Sequence, residues 1–89
     1  MHIEQTKNFQ KEVRKVSAPV ALAVAQAIRA VQAAQSFTDI PHFKQLRGHK
    51  GYFRLRVGDY RIGLRWDGER FFAESIDTRG DFYKTYPPY

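Results

Sequence analysis

The chain of 89 residues contains no cysteine, which excludes disulfide frameworks, thiolate metal sites and cysteine nucleophiles together. No apolar run approaches the ~18 residues of a membrane span. The first residues, Met1-His2-Ile3-Glu4-Gln5, do not form a signal peptide, so a soluble cytoplasmic protein is expected. There is no HxxxH pair and no carboxylate cluster, and neither a metal nor a cofactor is expected. Repeats, linkers and low-complexity segments are missing too. Residues 1-89 are expected to form a single domain, since two halves would each be too short to bury a core. At this size nearly all of the 43% hydrophobic residues must serve that one core, which leaves little room for a large substrate pocket.

Acids are scarce where bases are dense. Lys44, Arg47, Lys50, Arg54, Arg56, Arg61 and Arg65 fall in one quarter of the chain against the single acid Asp59, so this segment accounts for the whole net charge of +6. A solvated face usually mixes signs. A one-sign cluster points to an anionic partner: nucleic acid, an acidic protein or a membrane surface.

Phe9, Val13 and Val16 recur at helical spacing among Lys7, Lys11, Arg14 and Lys15, so Thr6 to Val16 reads as an amphipathic helix capped by Thr6. Ser17 and Pro19 start a second helix running to about Gln35, with Val20, Val24, Ala27, Ile28 and Val31 as its buried stripe. Its alanines permit close packing as a helical hairpin. Residues 37 to 51 read as loop, anchored by Phe43 and Leu46. Alternation then predicts strands at 52–57, 60–66 and 70–76, joined by two-residue turns at Gly58-Asp59 (type II′) and Asp67-Gly68 (type I′). Residues 2 to 5 form a possible further strand. The fold expected is α+β, an N-terminal helical hairpin packed on one face of a small antiparallel β-sheet.

Two-residue turns fix register. Val57 should pair with Tyr60, Leu55 with Ile62 and Phe53 with Leu64, facing the helices. On the other face Arg56 falls opposite Arg61, Arg54 opposite Gly63 and Tyr52 opposite Arg65; the second hairpin sets Arg61 against Glu74 and Arg65 against Arg70. Like charges ~5 Å apart repel, by about 3 kcal/mol at an effective dielectric of ~20. Guanidiniums of Arg56 and Arg61 on rigid strands beside Gly63 can clamp a phosphate; alternatively their stems lie over the sheet and the heads diverge into water. Tyr52, Phe72, Phe82, Tyr83 and Tyr86 are candidates for exposed rings near the arginines, with Phe72 and Phe82 assigned to packing against the C-terminal tail.

The run Tyr52-Phe53-Arg54-Leu55-Arg56-Val57-Gly58-Asp59-Tyr60-Arg61-Ile62, preceded by Leu46-Arg47-Gly48, resembles the RelE/ParE superfamily of bacterial toxins. Arg79-Gly80-Asp81-Phe82-Tyr83-Lys84 is similar to that family's C-terminal arginine-x-x-x-tyrosine-lysine ending. The resemblance implies a type II toxin, either RelE-like, cutting mRNA on the ribosome without metal, or ParE-like, poisoning DNA gyrase. An inactive toxin-derived interaction protein is a third reading. It further implies a small acidic antitoxin as partner, whose C-terminal segment is expected over the basic cluster. In the RelE-like reading Arg61 contacts the scissile phosphate, Arg79 and Tyr83 supply charge stabilisation and base stacking, and Arg54, Arg56, Arg65, Lys50 and Arg47 bind RNA.

The chain departs from many members in having Thr78 where they have histidine before the C-terminal arginine, and arginine where others have lysine on the second strand. Arginine is a poor general base because it stays protonated. Glu74 is then a candidate base or merely the ion-pair partner of an arginine, and His49 a candidate base or an ordinary loop residue. His2 and His42 are remote in sequence from the basic strands.

Overall fold

A computed structural model describes residues 1–88. Thr6 is extended and its hydroxyl accepts from the Phe9 amide at 3.2 Å, capping α1 (Lys7–Val13). The helix is shorter than the hydrophobic pattern suggested because Lys15 and Val16 donate three residues back, to Glu12 and Val13, a tightening that ends it. α2 (Ala18–Ala33) starts after an extended Ser17 with Pro19 in its first turn; Ser17 makes no side-chain capping bond. Phe9, Val24, Ile28 and Val31 are buried and Val20 and Ala27 partly so. Burial of such side chains is worth about 1.5–3 kcal/mol each. α1 lies against the strand of residues 71–78, and α2 lies against those of residues 52–57 and 3–5, so both helices bury their apolar stripes on the sheet.

The sheet has five strands: β1 (Ile3–Gln5), β2 (Phe43–Gln45), β3 (Tyr52–Val57), β4 (Tyr60–Trp66) and β5 (Phe71–Thr78), in the order β1-β5-β4-β3-β2. The first hairpin has the expected register, Val57 opposite Tyr60 through Tyr52 opposite Arg65. Gly58 alone carries the positive φ of its turn, 59°, as type II′ requires. The core face therefore holds Phe53, Leu55, Val57, Ile62 and Leu64, while Arg54, Arg56 and Arg61 belong to the opposite pleat. β1 runs parallel to β5, so the sheet is mixed rather than wholly antiparallel. β2 replaces part of the expected loop, pairing Phe43 with Leu55 and Lys44 with Arg54.

The second hairpin differs from the type I′ expectation. The Asp67 carboxylate accepts from the Glu69 and Arg70 amides at 2.8 and 2.9 Å, and four residues separate the paired Trp66 and Phe71. A bulge follows, since Leu64 pairs with Ala73 but Gly63 pairs with Ser75, which leaves Glu74 as the extra residue. Arg61 consequently sits opposite Asp77 instead of Glu74, and Arg65 opposite Phe72 instead of Arg70. Finally α3 (Arg79–Thr85), which alternation did not reveal, crosses the helix-free face and brings Phe82 onto Leu46, Tyr52 and Tyr86 in a second small core.

Candidate nucleic-acid interface

The site is built around the absence of a side chain. A Cβ at Gly63 would lie 2.6 Å from Cζ of Tyr86, so the bare glycine is what lets the Tyr86 ring lie flat on β4. The Tyr86 hydroxyl donates to Glu74 Oε1 at 2.8 Å and Arg65 Nε donates to Glu74 Oε2 at 2.9 Å. Bulging puts Glu74 where it can take both bonds. Its hydrogen bond and charge raise the Arg65 pKa against partial desolvation. Burial, and then the Glu74 carboxylate, push the Tyr86 phenol far above its ordinary range.

The sign of that shift makes a prediction. An unfolded tyrosine ionises near pH 10, whereas folded Tyr86 stays neutral, so its contribution is fully present below about pH 10 and is lost as pH rises beyond it. Tyr86→Phe should cost about 1 kcal/mol at neutral pH, because Glu74 loses a donor, and should flatten the alkaline limb of a plot of denaturation midpoint against pH. An equally steep limb in the variant would refute the shift.

Above this floor, between β2, the 46–49 loop and α3, opens a cleft of 580 Å³ walled by Lys44, Arg47, His49, Arg54, Tyr83 and Tyr86. Among the described residues no carboxylate lines it. Lys44 and Arg54 face each other across β2 and β3, and Arg54, half-buried, has no ion-pair partner among the described residues. Opposed cations on paired strands destabilise a sheet, so their retention favours an anion between or above them. Tyr83 is 54% exposed, its ring held by an edge-on contact with Phe82 at 5.0 Å. Arg79 is exposed one helical turn before Tyr83, on the same side of α3. The arrangement offers fixed positive charge for a phosphodiester backbone and an aromatic face for a base.

Comparison with known proteins bears on this geometry. No family model matches the chain. It is 27% identical over 88 residues to Toxin RelE3 of Methanocaldococcus jannaschii, covering 98% of this chain and 100% of that protein. A chain of the RelB-RelE antitoxin-toxin complex from Methanococcus jannaschii superposes with a TM-score of 0.78 at 25% identity, covering 93% of this chain and 98% of that one. The chain is RelE-like. A chain of the toxin-antitoxin complex RelBE2 from Mycobacterium tuberculosis shares the fold, with a TM-score of 0.69 at 23% identity over 88% of the RelE-like chain and 96% of its own.

Within the RelE-like fold the residues singled out from sequence divide into groups. Arg47, Arg54 and Tyr83 meet in the cleft, whereas Arg79, at the start of α3 with its amide donating to the Asp59 carbonyl of the hairpin turn at 2.8 Å, is not among the residues that line it. Arg56 and Arg61 do not form the phosphate clamp. Arg56 Nη2 lies 2.8 Å from Nδ1 of His42 at the sheet edge. Arg61 is buried, its Nη1 donating to the Gly58 and Tyr60 carbonyls at 3.0 and 3.1 Å, so it braces the hairpin turn and does not line the cleft. Gly63, the third part of that clamp, is covered by Tyr86. Arg65 is tied to Glu74, and Lys50 is exposed in the loop outside the cleft wall.

The aromatic expectations shift with α3. Tyr52 and Tyr86 are buried rather than exposed. Phe72 packs beneath the Arg65 and Arg70 guanidiniums, at 4.4 and 5.7 Å, instead of against the tail. Lys44, counted in the basic cluster but not assigned to the site from sequence, lines the cleft, as does His49, weighed there as a base or an ordinary loop residue. The alternation of Phe43, Lys44 and Gln45 was the available signal for Lys44, too short to separate from loop. Among the described residues no helix is long and apolar enough to cross a membrane.

Proposed function

We propose that this RelE-like chain is the toxin of a toxin-antitoxin pair and an endoribonuclease that cleaves mRNA on the ribosome, with the basic cleft as the RNA site. The observation that carries this reading is the wall of Lys44, Arg47 and Arg54, free of carboxylates among the described residues, beside the exposed Tyr83 ring. In the reaction, the ribose 2′-oxygen forms a bond to the adjacent phosphorus, the bond from phosphorus to the 5′-oxygen breaks, and the products are a cyclic phosphate and a 5′-hydroxyl. Arg54 and Lys44 meet the charge that develops on the phosphorane, with Arg79 extending the positive wall, and Tyr83 stacks on a base, which aligns the nucleophile. The chemistry draws on the chain's own cations and no metal. His49 supplies the cleft's imidazole, a group able both to accept and to donate a proton.

Glu74 belongs to the support of this site. Both its oxygens are engaged, by Arg65 and Tyr86. Glu74→Gln should therefore keep most single-turnover cleavage while losing about 1 kcal/mol of stability, since the pair is partly exposed. A loss of cleavage on the scale of the Arg54 variant discussed below would make Glu74 a base instead.

The partner proposed is a small acidic antitoxin whose segment covers the cleft. The RelB-RelE and RelBE2 structures are themselves toxin-antitoxin complexes, and the net charge of +6 asks for a counter-charge. Sequencing RNA 3′ ends after brief expression without a neighbouring protein tests the function: defined ends within translated mRNA are expected. Gyrase-dependent DNA breaks would move the assignment to the ParE-like reading, and neither outcome would leave an inactive interaction protein.

A further inference from the structure

A cation-aromatic stack lies beside the cleft and is not part of its walls. Tyr52 stands two residues before Arg54 on β3, and the row that starts there runs across the sheet: Tyr52 pairs with Arg65, Arg65 with Phe72 and Phe72 with Glu4. Residues two apart on a strand share a face, so this row lies about 7 Å from that of Arg54, on the side opposite α1 and α2. Arg65 Cζ sits over the Phe72 ring at 4.4 Å from its centroid, and Arg70 Cζ stands 5.7 Å from the same ring. Carboxylates hold both guanidiniums. Arg65 Nε is 2.9 Å from Glu74 Oε2, Arg70 Nη1 is 3.0 Å from Glu4 Oε2, and Arg70 Nε is 3.6 Å from Asp67 Oδ2.

The arrangement selects its ligand by shape more than by charge. Two guanidiniums meet three carboxylates, which leaves no spare positive charge to draw in a phosphate. What the stack offers is a planar cation with one side on a ring and the other toward solvent, since the Arg65 side chain is 35% exposed. Nucleobases stack on such guanidinium planes. Because the ring and Glu74 together restrict Arg65, a base that lands on it has little rotamer freedom left to remove. A protein partner would find little here to bury: among the described residues the exposed large apolar side chains are Leu22, on α2, and Tyr83, on α3.

We infer that Phe72, Arg65 and Arg70 form a second base-stacking subsite, for a base of the same single strand beyond the nucleotide held by Arg54 and Tyr83. The subsite rests on the reading of the cleft as an RNA site. It touches neither the scissile phosphate nor the attacking oxygen, so it sets the affinity and placement of the strand. Every base has a π-face, and the larger purines should bind best. Glu74 acts here as a positioning residue, fixing through Nε where the Arg65 guanidinium lies.

The test is equilibrium binding of the full chain to a single-stranded RNA of about eight nucleotides. Its riboses are 2′-O-methylated so that no 2′-oxygen can attack, and one abasic residue is moved through each position in turn. Arg54→Ala should weaken binding of the intact strand. Loss of the base at one position, distinct from the position that responds to Tyr83→Ala, should raise Kd about 5-fold or more. Arg65→Lys keeps a charge beside Glu74 and loses the planar face. It should raise Kd for the intact strand by a similar factor, leave the slope of log K against log salt unchanged, and have no effect on the strand that lacks that base. Phe72→Leu, which keeps apolar cover under Arg65 without the ring, should give part of the loss. If no position responds to Arg65→Lys or Phe72→Leu, or if every position responds equally, the subsite is overturned while the Arg54 effect preserves the cleft reading. Binding indifferent to both Arg54→Ala and Arg65→Lys overturns the cleft reading together with it. Unchanged strand binding beside a weakened complex with the co-expressed neighbouring protein would make the stack a protein contact and overturn the proposal as well.

Discussion

Arg54→Ala should lower single-turnover cleavage of ribosome-bound mRNA by about 10²-fold or more, the scale of removing one preorganised stabiliser of transition-state charge. Arg54 is the cation of the cleft held on a central strand, half-buried, opposite Gly63 on one side and Lys44 on the other. Among the described residues its guanidinium is not committed to any carboxylate. Removing it should leave the melting temperature nearly unchanged or slightly raised, since one member of an opposed cation pair disappears. Arg54→Lys should recover part of the rate, because the charge remains while the planar donor fork is lost. Full cleavage by the alanine variant would remove the cleft from the reaction. Arg61→Ala, in contrast, should act through stability: it withdraws the guanidinium that pairs the Gly58 and Tyr60 carbonyls.

Gly63→Ala should be among the most damaging single-methyl changes available in this chain. The added Cβ would meet three carbons of the Tyr86 ring at 2.6 to 2.7 Å, closer than such contacts occur, and β4 is a central strand that cannot retreat. The ring must leave, and with it go the bond to Glu74 and the contacts with Tyr52 and Phe82. Overpacking of this kind costs about 1–3 kcal/mol, which in a domain of this size lowers the melting temperature by about 4–8 °C per kcal/mol. Because the damage runs through one contact, Gly63→Ala should be nearly neutral in a Tyr86→Ala background, a coupling that a double-mutant cycle measures. Equal costs in the two backgrounds would mean that the damage does not run through the Tyr86 ring.

The parts legible in the sequence are those set by local chemistry. Thr6 and Ser17 mark helix starts because extended residues with short polar side chains precede them, and the alternation from Tyr52 to Trp66 around Gly58-Asp59 leaves only one register for β3 and β4. Both faces of that hairpin, and therefore the placement of Arg54 on the side opposite α1 and α2, follow from a period of two. The clamp failed although its register was right. Pairing positions fix where Cα atoms stand, and Arg56 and Arg61 have stems long enough to reach His42 and the turn carbonyls instead of each other's phosphate.

By itself the amino-acid sequence determined the absence of cysteine chemistry, the first two helices, the central hairpin and the basic character of the segment from Lys44 to Arg65, since each depends on composition or on neighbours a few residues apart. Tertiary structure alone decided the rest. The wide Asp67 turn and the bulge at Glu74 moved β5 relative to β4, and three-residue strands such as β1 and β2 exist because a longer neighbour offers them partners. α3 folds where it does because Gly63 leaves a ring-sized space on β4, 23 residues before Tyr86 in the chain. A cleft between segments so distant is a product of packing, and no periodicity along the chain encodes which of its many cations will wall it.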